Sequence, residues 1–351
     1  MLIESPKISS DNGYTIISSN IHTEKRNYNI WYKTNVEIHP SSDIFLVACL
    51  IPAMKLGEDL IVEGKISKQL YDSIDEIQYI YSSWYPEYSK IKIISKIQSE
   101  YENKSKFIAT FFSGGVDSFY TLIKRIKEID KIVLVHGFDI PILDTQYYSE
   151  VSANIKVIAN YFGKELIEVQ TNIRDFSNQF SEWGKFYSGI PAVSILLSKI
   201  IGKIYIPSGF TRDNLVSWGS HPDLDKYWST ENVEIIYDEL ISRIDKIKEI
   251  HTNEIFLNHV RVCWQCRGYN CSECDKCIRT MIALYAFGVL DKCKTFTLKE
   301  PILNLIPKIN IHNRLYYLLH KENILPMPNG DVKNALELLI EKYKSKYELN
   351  D

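Results

Sequence analysis

Apolar residues recur along the chain with two periods, and the change from one to the other divides it. In the first hundred residues, short runs of β-branched and aromatic residues at Tyr14–Ser18, Tyr28–Thr34 and Asp43–Leu50 predict strands. Glu58–Glu63, read as EDLIVE, predicts another. From Ser67 to Trp84 the spacing of Leu70, Ile74, Ile77 and Ile80 predicts a helix with one apolar face, which Pro86 closes. Residues 1–105 therefore read as a small α+β module without a catalytic cluster, joined to the rest at Asn103-Lys104-Ser105-Lys106.

From Phe107 strands and helices alternate. Strands are predicted at Phe107–Phe112, Ile132–Val135, Glu165–Val169, Ile204–Pro207 and Val233–Tyr237. Between them, helices are predicted after Ser118 (Phe119, Leu122, Ile123, Ile126, Ile129), over Val151–Phe162 and over Pro191–Ile201. A helix over Leu240–Ile250 and a buried one over Cys277–Leu290 follow. This alternation predicts an α/β fold, a parallel sheet covered by helices, over residues 106–300. Residues 301–351 form a C-terminal extension with a helix at Asp331–Lys344.

Composition narrows the class. The 351 residues are 45% hydrophobic, enough for a folded core, and carry 41 basic and 44 acidic side chains for a net charge of −3. That balance gives no global case for wrapping nucleic acid, while leaving a local basic groove open. No stretch has the apolar length of a membrane helix, and the start MLIESPKISSDNG lacks the pattern of a secretion signal. A soluble cytoplasmic protein is expected. Five of the seven cysteines crowd into Cys263–Cys277, which fits one metal site in a reducing compartment better than a disulfide scaffold.

The first candidate chemistry is Ser113-Gly114-Gly115-Val116-Asp117-Ser118, between a predicted strand and helix. Two glycines permit close backbone approach, the amides at the helix start hold an anion, and Ser113 and Ser118 add hydroxyls. Asp117 suits helix capping or Mg²⁺ beside phosphate. The plain alternative is a tight turn capped by Asp117. The loop lacks the Gly-Lys-Ser/Thr ending that grips a γ-phosphate.

The second is Cys263-x2-Cys266-x4-Cys271-x2-Cys274-x2-Cys277. Four thiolates enclose Zn²⁺ tetrahedrally. The alternatives are a [4Fe–4S] cluster, free thiols or redox chemistry. Other candidates follow strands, where parallel sheets place ligands. Asp139, in His136-Gly137-Phe138-Asp139, would hold Mg²⁺ or a substrate amine, or simply cap a loop; His136 reads as structural. In Ser208–Asn214, Gly209 would admit a nucleotide, Arg212 would neutralise an anion and Asp213 would hold metal or acceptor. Arg174 and Lys185 could approach an anion, and Trp183 and Trp218 could stack on a base, each against an ordinary surface or packing role.

The loop Ser113–Ser118 resembles the pyrophosphate loop of the PP-loop, or N-type, ATP pyrophosphatases, over roughly residues 107–292. The resemblance implies an adenine nucleotide alpha hydrolase-like fold. It further implies cleavage of ATP between the α- and β-phosphates, with Mg²⁺ present, and adenylation of a substrate oxygen. Cys263, Cys271, Cys274 and Cys277, followed by Arg279, look like the zinc site of 7-cyano-7-deazaguanine synthases; Cys266 is then extra, with exchange of roles between it and Cys263 left open. The Tyr-x-Asp-Cys-Arg substrate segment of that family is missing, and Ser217–Pro222 occupies the region.

The expected activity is ATP-dependent amide or nitrile formation on a small-molecule or protein acceptor. Thiolation of a tRNA or small molecule through Cys263 or Cys266, or nucleotide binding without turnover, are the alternatives. Some such synthase-like proteins are associated with bacterial antiphage systems. In that branch residues 1–105 would recognise a protein partner.

Overall fold

A computed structural model of the chain describes residues 1–98, 104–182, 184 and 188–347. Asn103, Trp183 and Lys185 lie outside the described residues. Eleven strands among those described join in one sheet. They are β1 (Leu2–Ile3), β2 (Lys7–Asp11), β3 (Tyr14–His22), β4 (Asn27–Thr34), β5 (Leu60–Ile66), β6 (Ile93–Ile97), β7 (Ile108–Phe111), β8 (Lys131–His136), β9 (Glu165–Thr171), β10 (Lys203–Ile206) and β11 (Glu234–Tyr237). Their order is β11-β10-β7-β8-β9-β4-β3-β1-β5-β6, with β2 hydrogen-bonded to β3.

The half formed by β11, β10, β7, β8 and β9 is wholly parallel; short 3₁₀ turns join β10 to β11, and helices connect its other strands. These are α3 (Val116–Lys124), α4 (Thr145–Phe162), α5 (Ile173–Ser177) and α6 (Gly189–Leu196), after α1 (Ser42–Leu56) and α2 (Lys68–Trp84) of the N-terminal region. The protein is a mixed α/β fold with a multi-stranded sheet covered by helices, as the alternation of patterns leads one to expect.

The sheet does not stop at residue 105. Strand β4 pairs antiparallel with β9, with Tyr32 opposite Thr171 and Thr34 opposite Val169. Side chains fasten the seam further. Thr34 Oγ1 donates to Glu168 O at 2.9 Å, and Asn172 both accepts from Trp31 N (3.0 Å) and donates to Asn29 O (2.8 Å). One apolar core on this side of the sheet takes residues from both halves, among them Ile30, Phe45, Ile167, Val193 and Ile204.

The segment Asp43–Leu50, expected as a strand, is the first half of α1. Every residue from Ser42 to Met54 is buried, and α1 packs between α6 and β5. A helix buried on all sides has no polar face, so its apolar run carries no 3.6-residue period and reads like a buried strand. Its ends carry the missing signal: Ser41 accepts from Asp43 N, and Gly57 closes the helix in the left-handed region. By contrast α2 has one apolar stripe (Leu70, Ile74, Ile77) and was legible for that reason.

On the opposite face lie α7 (Arg243–Ile250), α8 (Glu254–His259), α9 (Asp275–Ala286), α10 (Ile302–Leu305), α11 (Arg314–Lys321) and α12 (Asp331–Tyr347). The C-terminal extension shares this second core: Tyr317, Leu336 and Ile340 join Phe119, Phe256, Met281 and Leu284. No helix among the described residues is long and apolar enough to cross a membrane.

The continuous sheet generates a test. Removing residues 1–105 would strip β4 from β9 and expose Val193, Leu196 and neighbouring residues of the shared core. A chain beginning at residue 106 is expected to aggregate on expression, measured by soluble yield and size-exclusion chromatography. A soluble monomer would show that the seam contributes little.

Candidate functional site

The loop Ser113–Ser118 sits where β7 turns into α3. Gly114 takes φ +79°, in the left-handed region that glycine occupies without steric penalty. Arg261 grips the loop from outside: its amide donates to Gly114 O at 2.7 Å and its Nε to Ser113 O at 3.2 Å. The α3 N-cap is Gly115, not Asp117. The first intrahelical bond runs from Phe119 N to Gly115 O, so the amides of Val116, Asp117 and Ser118 precede the helical ladder. Ser118 Oγ donates to Gly115 O at 2.9 Å.

Asp117 points back into the protein. Its carboxylate accepts from Arg243 Nη2, and from the buried Lys246 Nζ at 3.2 Å. Lys246 also donates to Ser208 O and Ser208 Oγ (2.5 and 2.9 Å). Burial alone would raise the Asp117 pKa, but the charges of Arg243 and Lys246 outweigh it and hold the group well below the ordinary carboxylate range. Helix α7, packed on α3, supplies both cations.

Above the loop opens a cavity of about 710 Å³ at the carboxyl ends of β7, β8, β10 and β11, reached through Phe112, Val135, Ile206 and Tyr237. Parallel sheets place ligands at this edge. The loop forms one wall, and Lys276 and Arg279 of α9 with Tyr316 and Leu319 of α11 form another. The cations lining it are Arg174, Arg243, Arg261, Lys276 and Arg279; the acids are Asp117, Asp139 and Asp275.

The cations are not all neutralised. Arg279 is 7% exposed, yet its Nε and Nη1 have no hydrogen-bond partner among the described residues, nor has Arg243 Nη1. Burial, then repulsion from Arg243, lowers the Arg279 pKa to about 10. Burial and the same arginine lower Lys276. Buried guanidinium nitrogens without partners are costly, and they mark where an anion would be stabilised.

The cysteines lie at the end of this wall. Cys263, Cys271, Cys274 and Cys277 bring their sulfurs within 4.8 Å of one another. The turn between Cys271 and Cys274 places Ser272 at φ +57°, and the amides of Cys274 (3.2 Å) and Glu273 (3.5 Å) donate to Cys271 Sγ. Burial raises the Cys271 thiol pKa, and these N–H···S bonds act against that rise. The four-sulfur group is compatible with a Zn²⁺ site. Cys266 stands outside it, with its sulfur 4.0 Å from Asp139 O. Because Cys263 follows Arg261 by two residues and Cys277 precedes Arg279 by two, the cluster ties the loop's clamp to the cationic helix.

Other sequence candidates divide. Asp139 and Gly209 line the cavity, and a side chain at Gly209 would meet nothing within 4 Å, which leaves the space open. Arg174 also lines it and donates to Phe138 O. Arg212 and Asp213 do not join the loop. Both are exposed, and Arg212 lies in a separate groove beside β11 with Lys226 and Glu234. His136 is buried, bonded to Pro141 O at 2.9 Å and stacked on Tyr148. Trp218 lines the cavity while packing against Gly184.

Sequence reasoning missed Arg243, Lys246, Arg261 and Lys276. Lys246 abuts the apolar stripe Ile244, Ile247, Ile250, which is a weak cue to burial. Arg261, flanked by Val260 and Val262 just before the first cysteine, is another. Comparison of the chain with protein-family models, curated proteins and solved structures gives no match.

Two predictions follow from these contacts. Asp117→Asn leaves Arg243 and Lys246 uncompensated and is expected to cost about 3–5 kcal/mol near pH 7, read by urea unfolding. Since folding depresses this pKa, the stabilisation is complete above the unfolded value of about 3.9 and disappears as pH falls toward the folded value. The gap between wild type and variant should therefore narrow below about pH 4. Cys271→Ser is expected to lose the metal seen by elemental mass spectrometry, and Cys266→Ser to retain it.

Proposed function

We propose that the cavity binds ATP, with its phosphates at Ser113–Ser118, and that the protein splits it to AMP and pyrophosphate while activating an acceptor. The observation that carries this reading is the partnerless Nη1 of Arg243 in a cavity that the glycine-rich helix start also lines. The arrangement has the charge and the backbone donors that a polyphosphate requires. The loop's likeness to PP-loop ATP pyrophosphatases, and an adenine nucleotide alpha hydrolase-like reading of the parallel half, support cleavage between α and β. The missing Walker lysine speaks against γ-phosphate chemistry.

Asp117 is already paired with two cations, and Asp275 is held by His320 through one oxygen, Oδ1. Asp139 is the cavity carboxylate without an ion pair among the described residues, so it fits Mg²⁺ best. The ion would neutralise phosphate charge. The loop amides and Ser118 would orient the pyrophosphate, and Arg243 would offset charge developing at the α-phosphate.

In the reaction proposed, a carboxylate or amide oxygen of the acceptor bonds to the α-phosphorus as the bond to pyrophosphate breaks. On an activated carboxylate, ammonia or an amine forms a bond to the carbon, loses a proton and expels AMP, leaving an amide. A primary amide activated in the same way loses its two N–H protons and AMP, leaving a nitrile. Zinc on Cys263, Cys271, Cys274 and Cys277 would be structural, since all four of its positions are filled by sulfur.

The test incubates the protein with ATP, Mg²⁺, ammonium and a metabolite extract and separates AMP from ADP by chromatography. AMP is expected, falling about a hundredfold in Ser118→Ala. ADP as the sole product would overturn α–β cleavage.

A further inference from the structure

We propose that Asp275 and Arg279 form a second subsite of the cavity, which takes the α-amino-carboxylate group of an amino acid with an apolar side chain. His320 is its positioning residue. The proposal names the acceptor for the nucleotide reading above and rests on that reading.

Asp275 and Arg279 stand one turn apart on α9, four residues in sequence, so their Cβ atoms are about 5–6 Å from each other. Both line the cavity. No ion pair within 4.0 Å joins them, and neither is satisfied. Arg279 offers Nε and Nη1, and Asp275 offers a buried Oδ2 without a partner. Its other oxygen, Oδ1, is held by His320 Nε2 at 2.7 Å. A carboxylate only accepts, so His320 is the donor.

His320 is fully buried and comes from α11, in the C-terminal extension. It fixes which carboxylate oxygen remains for a ligand.

The charges around the pair decide what fits. Arg279 shares the cavity with Arg243 and Asp117 of the loop region and with Asp275 and Tyr316. A simple anion would satisfy Arg279 but leave Oδ2 buried against it, and a simple amine would do the reverse. A neutral amide reaches both atoms but neutralises neither charge. An ammonium and a carboxylate on one carbon satisfy both with charge-assisted bonds. The adjoining wall of Leu315, Tyr316 and Leu319 has no charged group, so the side chain it accommodates is apolar.

The test is calorimetric titration of the full-length, zinc-loaded chain with each protein amino acid in turn, and with acetate and methylammonium as the two half-ligands. Leucine- or phenylalanine-like amino acids are expected to bind at least about tenfold more tightly than either half-ligand, and more tightly than aspartate. Asp275→Asn is expected to weaken that binding at least about tenfold. His320→Leu should weaken it as well, and His320→Gln, which retains an N–H donor, should restore it. Zinc content and melting temperature identify a variant that fails to fold, and the leucine/glutamine pair at His320 then decides in its place.

The subsite is refuted if no amino acid outbinds acetate. It is equally refuted if a folded Asp275→Asn binds as wild type does, or if both His320 variants bind alike. Parallel titration of wild type with ATP separates the two readings: ATP binding without amino-acid binding removes the subsite alone. Amino-acid binding without ATP removes the nucleotide assignment and leaves an amino-acid site.

Discussion

Uncompensated positive charge in a partly buried space is the constraint on which the site turns. Arg243, Arg261, Lys276 and Arg279 converge with Arg174 on one cavity that holds three carboxylates. Two of those carboxylates are engaged, Asp117 by Arg243 and Lys246 and Asp275 by His320. Cations crowded in this way repel each other and lose hydration, which explains the lowered Lys276 and Arg279 pKa values. A fold retains such an arrangement only if surrounding structure forces the groups together.

The forcing elements are identifiable. The Asp117 pairs lock α7 against α3 beneath the loop, and Arg261 holds the loop carbonyls from the other side. The four sulfurs then join the segment carrying Arg261 to the helix carrying Lys276 and Arg279. The C-terminal extension completes the enclosure: α11 brings Tyr316 and Leu319 to the cavity and His320 to Asp275.

How much of this could be read in the sequence depended on whether each feature is local. The strand–loop–helix of Ser113–Ser118, the parallel-half strands and the cysteine spacing are short-range patterns, and each appears in the structure near its expected place. The four-sulfur group takes Cys263 and leaves out Cys266, whose backbone is in the left-handed region at φ +51°, a choice that spacing alone leaves open. Helix α1 was hidden by complete burial. Arg212 and Asp213 share the strand-end position of Gly209, but the short 3₁₀ turn at Arg212–Asn214 carries them outward. Lys246 and Arg243 become functional candidates only after folding, because their partner Asp117 is more than a hundred residues away.

The join between β4 and β9 alters what the N-terminal region can be. An independent recognition arm would bury little against its neighbour and keep its own core. Here the seam hydrogen bonds lie on β9, the strand beside β8, and β8 ends at the Gly137 turn next to cavity residues Phe138 and Asp139. Gly137 approaches β9 so closely that a Cβ would lie 1.9 Å from Thr171 O, and Thr171 is the residue paired with Tyr32. A backbone contact that tight does not yield gradually, since a packed interior transmits displacement instead of absorbing it. The N-terminal region is continuous with the sheet that carries the site, and none of its described residues lines the cavity.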